Sequence, residues 1–203
     1  MSRTHGALWP GIGLAAGLLV AGWAGARVGE PAHARPPAVA TSPPSVTSTT
    51  APRRLQIPGI GVDAAIDPVG VTTQGDLATP TDVSHAGWYR AGSLPGRPGS
   101  SVIDGHRDWY SGPAVFANLG HLHPTDPLSV TYSDGSAAFF RVSNLVIYPA
   151  NARPPAELFR TDGPPQLVLI TCAGPWDGTR YRDRLVVVSR PDPTHRRQNL
   201  LGG

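Results

Sequence analysis

Leu167-Val168-Leu169-Ile170-Thr171-Cys172 is the stretch on which the reading of the chain depends. Six residues rich in aliphatic and β-branched side chains form the pattern of a buried strand. The run ends at the only cysteine in 203 residues. Behind it, Ala173-Gly174-Pro175-Trp176-Asp177-Gly178 is a series of turn formers. Thr179-Arg180-Tyr181-Arg182-Asp183-Arg184-Leu185-Val186-Val187-Val188 then reads as a second strand, its first half studded with arginine. A lone thiol at a strand end, facing arginines across a loop, suits an activated nucleophile. A free cysteine is as commonly a small buried apolar residue. This stretch by itself leaves both readings open.

Outward from it, residues 53–190 are a succession of short β-like runs. Leu55 to Pro58 with Ile60 to Val62 begins the series, and Ala64 to Val69 follows. Trp88-Tyr89 precedes a turn rich in glycine and proline at Pro95 to Ser100. Ser101-Val102-Ile103-Asp104 is a strand ending at Gly105-His106. Leu128 to Tyr132, an Asp134-Gly135 turn, Ala137 to Val142 and its continuation to Tyr148 complete the set. Only Val115 to Leu119 and Pro155 to Phe159 leave room for a helical turn or two. Many short strands with frequent turn signals predict a closed barrel or a sandwich. The 24 glycines and 23 prolines agree with short strands over helices.

Charge narrows the classes of function. All 17 basic residues are arginine, and the formal net charge is +3. From Arg53 onward 14 arginines face 13 acids, so the folded part is almost neutral. No strand interleaves basic and aromatic residues, and nucleic-acid binding is set aside. A single cysteine excludes an intramolecular disulfide framework. His121-Leu122-His123 has the alternation that places two imidazoles on one strand face, as zinc sites use. Pro124 follows at once and no third ligand is near in sequence, so no metal and no cofactor is expected.

The amino-terminal segment predicts export of the rest of the chain. Ala7 to Ala26 is twenty residues without a charge, long enough to span a bilayer's hydrocarbon core. Its five glycines and Pro10 are tolerated in membrane helices. Residues 1–30 are read as a signal anchor, with cleavage after Ala24-Gly25-Ala26 or Ala32-His33-Ala34 as the competing reading. Both export the remainder; the anchor reading predicts a single-pass membrane protein with an extracellular domain. Residues 31–52 form a linker rich in proline, serine and threonine that cannot bury enough surface to fold. Residues 191–203 read as a flexible tail.

Gly105-His106-Arg107-Asp108, Phe116-Ala117-Asn118-Leu119, Leu169-Ile170-Thr171-Cys172 and Tyr181-Arg182-Asp183 occur in an order and spacing that resemble the sortases. The Val-Ile-x-Gly-His stretch, Gly112-Pro113-Ala114-Val115-Phe116 and the Tyr-Arg-Asp segment are most similar to the class F group. Two positions depart from that group. Val168 stands where the cysteine box usually begins with threonine, and Arg184 where asparagine is common. The resemblance covers about residues 53–190. It implies an all-β fold, a closed eight-stranded barrel with short helical turns. It also implies that Cys172, His106 and Arg182 converge on one groove, with Thr171 and Trp176 beside the substrate. Arginines 180, 182 and 184 share one face if their strand is regular, so alternation does not choose among them, and only the resemblance selects Arg182.

The implied activity is transpeptidation. Cys172 would attack a backbone carbonyl in a C-terminal sorting signal similar to Leu-Pro-x-Thr-Gly on a surface protein. An amine of a cell-wall precursor would then resolve the thioacyl enzyme. With no lysine, this chain offers no side-chain amine to its own intermediate. Two other readings stay open at this point: an exported cysteine peptidase, and a barrel that binds wall peptides without turnover.

Overall fold

The structure, a computed structural model, describes residues 50–73 and 75–195. The expected anchor (1–30), nearly all of the linker and residues 196–203 lie outside the described residues. No helix among the described residues is long and apolar enough to cross a membrane.

Ten strands run in chain order. They are β1 (Pro52–Ile57), β2 (Val62–Val69), β3 (Ala86–Tyr89), β4 (Ser100–Asp104), β5 (Asp108–Trp109), β6 (Gly112–Pro113), β7 (Pro127–Tyr132), β8 (Ala137–Pro149), β9 (Gln166–Trp176) and β10 (Tyr181–Pro191). Eight of them close a barrel in the order β1-β2-β3-β4-β9-β10-β8-β7, while β5 and β6 form a separate hairpin. The expected all-β closed eight-stranded barrel is the fold observed.

Local sequence explains the closure. In β2, Val62, Ala64 and Ile66 turn inward while Asp63 and Ala65 face out, the period of two that a half-buried strand requires. A 3₁₀ turn over Pro58–Ile60 ends at Gly61 with φ 68°, and β2 folds back antiparallel on β1. The predicted Asp134-Gly135 turn joins β7 to β8, with Gly135 at φ 83°. β1 closes the cylinder by pairing with β7, Leu55 opposite Val130.

β9 is apolar without alternation because it is buried on both faces. Leu167 and Leu169 enter the main core with Leu55, Ile103, Phe140 and Val187. Val168 enters a second cluster on the outer face with Val102, Leu158, Val186 and Val188. β4 lies parallel to β9, and β10 antiparallel on its other side. A central strand sandwiched in this way needs apolar side chains at every position.

Three boundaries differ from the sequence reading. β9 runs past Cys172 to Trp176, over residues read as turn formers, because Ala173 and Trp176 still pair with Asp183 and Tyr181 of β10. The turn expected over Val115 to Leu119 lies at Leu119–His121, because the N–H groups of Val115 and Phe116 are bonded to the Val83 and His106 carbonyls instead. Pro191 is still paired with Phe140, and the buried Asp192 carboxylate lies 3.0 Å from Arg141, so order continues past the expected start of the tail.

Candidate active site

Backbone bonds fix the place of His106. β4 ends at Asp104, which pairs with Ile170 of β9. The next amide, Gly105 N–H, donates to the Ile170 carbonyl at 3.1 Å. The Thr171 hydroxyl donates to the Gly105 carbonyl at 2.8 Å. A Cβ at Gly105 would lie 2.6 Å from Phe116 Cδ2 and 2.8 Å from Val115 Cγ1, so glycine is needed for this close approach. The Phe116 amide then donates to the His106 carbonyl at 2.9 Å. His106 Nε2 lies 3.2 Å from the Pro80 carbonyl oxygen. A carbonyl only accepts, so Nε2 carries a proton and Nδ1 is the nitrogen left for exchange in the neutral ring.

Cys172 lies directly across the ladder from Arg184. The register between β9 and β10 shifts between Asp183 and Tyr181, opposite Gly174 and Pro175. Gly174 has φ 73°, and a Cβ there would meet the Asp183 carboxylate, so the bulge demands glycine. Arg182 falls at this bulge, exposed, with its carbonyl accepting from the Ala150 amide. The structure therefore brings Arg184, and not Arg182, into line with the thiol.

Cys172, His106 and Arg184 line one cavity of about 670 Å³ on the outer face of β4, β9 and β10. Its walls are residues of the β2–β3 connection, such as Leu77 and Thr79, and of the β8–β9 connection, such as Pro154 and Leu158. Asp104 lines the same cavity and accepts a hydrogen bond from Thr79 Oγ1 at 2.8 Å. Burial pushes its pKa up to about 6 against the opposing pull of Thr79, the Gly105 amide and Arg184. The sequence reading passed over this residue. Its signal was an acid in the apolar run that leads into Gly-His.

Burial pushes the Cys172 thiol above its ordinary value. Arg184 and Arg107 pull it down while Asp104 and Asp108 push it further up. Burial and the two carboxylates therefore work against the thiolate in the resting site, with the two arginines opposing them.

The other residues singled out from sequence fall as follows. Thr171 is 2% exposed, and its hydroxyl is engaged by Gly105, so it supports the site from beneath. Trp176 is exposed at the end of β9, edge-to-face on Tyr181 at 5.2 Å, and lines neither cavity that Cys172 touches. His121 ends a 3₁₀ turn and Leu122 is buried in the core, so the pair His121 and His123 is not on a strand face. Among the described residues no group of three or more possible metal ligands assembles.

A closed barrel with a cysteine and an arginine paired across neighbouring strands, and a histidine just beyond the end of a third, defines a thiol-dependent acyl-transfer site. The sequence pattern of the sortase domain matches residues 55–192, and the chain belongs to the sortase family. Sortases are cysteine transpeptidases that act on surface proteins bearing sorting signals and join them to cell-wall amines. Among solved structures, sortase C-1 of Actinomyces oris is similar at 26% identity and TM-score 0.55, over 69% of this chain and 73% of that one. Sortase C2 of Group B Streptococcus pilus island 1 is similar in fold at 23% identity and TM-score 0.55, over 70% and 73%. Sortase A of Corynebacterium diphtheriae is likewise similar in fold at 23% identity and TM-score 0.54, over 70% and 62%. A search of curated protein sequences gives no match.

Proposed function

We propose that this chain is a membrane-anchored, extracellular sortase that cleaves a signal of the Leu-Pro-x-Thr-Gly kind and transfers the new carboxyl end to a wall amine. The carrying observation is that Cys172, His106 and Arg184, far apart in sequence, line one cavity that continues along the outer face of the barrel. A cavity of about 670 Å³, walled by two connections, suits a short peptide segment.

Cys172, as thiolate, forms a bond to the scissile carbonyl carbon. Charge develops on the carbonyl oxygen, and the Arg184 guanidinium is the permanent cation closest in register to meet it. Protonated His106 gives a proton to the departing amine as the C–N bond breaks, leaving a thioester. An incoming amine reverses the sequence: the C–N bond forms, the C–S bond breaks, and His106 takes back a proton. Arg182 has the lesser part on this reading, since it lines no part of the cavity. The class F assignment rests on the motifs of Gly105-His106, Gly112 to Phe116 and Tyr181-Arg182-Asp183. The anchor rests on the uncharged run Ala7 to Ala26.

The test is mass spectrometry of the protein mixed with a Leu-Pro-x-Thr-Gly peptide library. A thioacyl adduct on Cys172, lost from Cys172→Ala and discharged by added amine, is the expected result. Turnover that persists in Cys172→Ala overturns the covalent mechanism.

A further inference from the structure

Cys172 lines a second cavity, of about 440 Å³, as well as the first. Among the described residues it is the only one common to the two linings. The second cavity is bounded by Arg107, His121, Ile147 and Leu185 on the side of Cys172 opposite the groove of Asp104, His106 and Arg184. A thioester at Cys172 keeps its acyl chain in the first cavity. The amine that resolves it needs a separate approach to the same carbon, and a second cavity meeting the first at that residue supplies one.

Arg107 gives this space a chemical preference. Its guanidinium is held rather than loose: Cζ lies 4.9 Å over the Tyr181 ring, and Nη1 donates to the Gly174 carbonyl at 3.3 Å. Its neighbour Asp108 stands at 3.9 Å, outside hydrogen-bond range, and accepts from the Tyr181 hydroxyl. The Arg107 side chain is 39% exposed and lines the cavity, and among its donors only Nη1 has a protein hydrogen-bond partner among the described residues. A stacked, oriented guanidinium of this kind is matched to a carboxylate. Resting on the reading of Cys172 as the acyl-bearing nucleophile, we infer that the second cavity seats the acceptor. The inferred acceptor is an amine carrying a carboxylate, which Arg107 recognises.

In the step itself the neutral amine nitrogen forms the C–N bond and the C–S bond breaks. The proton lost from nitrogen neutralises the leaving thiolate through His106. Arg107 touches the acceptor's carboxylate and takes no proton.

The experiment uses the full chain with a Leu-Pro-x-Thr-Gly peptide and matched acceptors: glycine against glycinamide, and 6-aminohexanoate against its amide. Transfer and hydrolysis products are quantified together. In the wild type, each carboxylate acceptor is favoured over its amide in kcat/KM by tenfold or more after correction for free-amine fraction. Arg107→Gln brings that ratio to about one, and Arg107→Lys, which keeps charge but loses the fork, lies between. Any influence of Arg107 on the thiol cancels in the ratio, because both acceptors meet the same thioester. A second variant, Ile147→Trp, alters a side chain that is 62% exposed at the cavity and leaves the core untouched. It lowers the ratio of transfer to hydrolysis several-fold. A wild-type adduct on Cys172 with no carboxylate preference, or with a partition that Ile147→Trp does not move, overturns the acceptor site alone. No adduct at all overturns the underlying function, and the acceptor site with it.

Discussion

At the level of single residues, the groups around Cys172 oppose one another. Burial raises the thiol, two arginines lower it, and two aspartates raise it again. Alkylation of Cys172 should therefore keep increasing past the reference thiol value of about 8.5, while peptide turnover, which also needs a proton donor for the leaving amine, passes through a maximum. A plateau in alkylation by about pH 6 would reveal a preformed ion pair and sink this account. Asp104→Asn removes one of the opposing charges and should move the alkylation curve toward lower pH. The same variant has a stability consequence of definite sign. An acid held at about 6 in the folded protein binds its proton more tightly there than in the unfolded chain, where about 3.9 applies. Stability is then lost as pH rises between those two values. Asp104→Asn should be more stable than the wild type at pH 7, by up to about 3 kcal/mol, and the gap should close below pH 4; denaturant melts at both pH values measure it. For the arginines, Arg184→Ala should lower turnover by about a hundredfold or more, on the scale of one preorganised donor. Arg182→Ala should cost only a few-fold. Equal losses would reduce both to general electrostatics.

At the level of elements, the site depends on how β4 and β9 are stitched together. Thr171→Val keeps the shape of the side chain but leaves the Gly105 carbonyl without its donor. It should destabilise by about 1–3 kcal/mol, the usual cost of a buried unpaired group, and reduce turnover with little change in peptide KM. Gly105→Ala should do worse, since its methyl would collide with Phe116 and Val115. Rescue of Gly105→Ala by trimming Phe116 would confirm that the contact, and not backbone freedom, is the reason for glycine. These elements also show what the sequence made legible. β9 was plain, because a strand buried on both faces writes itself as an unbroken apolar run. His106 was plain as a residue just past a strand end, whereas Cys172, expected at a strand end, lies inside β9, which continues to Trp176. Which arginine faces Cys172 across the ladder was not plain, because that depends on a one-residue bulge set by Gly174 against Asp183. Nor was the β5–β6 hairpin, whose two-residue strands fall below any periodic signal. Asp104 escaped because its meaning comes from the connection at Thr79, which only the fold brings near.

At the level of the molecule, the site exists only when the barrel is closed. Its parts come from β4, β9, β10 and the β2–β3 connection, and the cylinder closes through β1 on β7. Both parallel pairs, β2 with β3 and β4 with β9, join segments separated by long connections. Few local contacts define the groove, so no fragment of the barrel can hold it in part. A domain of this size with one continuous main core should unfold in a single transition. Three probes report different places in it. Trp88 is buried in the core, whereas Trp109 and Trp176 are exposed near the site, so tryptophan emission follows core exposure. Far-ultraviolet dichroism follows the strands, and the alkylation rate of Cys172 at alkaline pH follows the groove. The expected outcome is one denaturant midpoint for all three. Refolding should occupy milliseconds to seconds, as for other barrels dominated by non-local pairing. If Cys172 becomes reactive at a lower denaturant concentration than the strands are lost, the groove opens by itself. The two connections that wall it would then move independently of the barrel, and the fixed geometry assigned to Cys172, His106 and Arg184 would not describe the active enzyme.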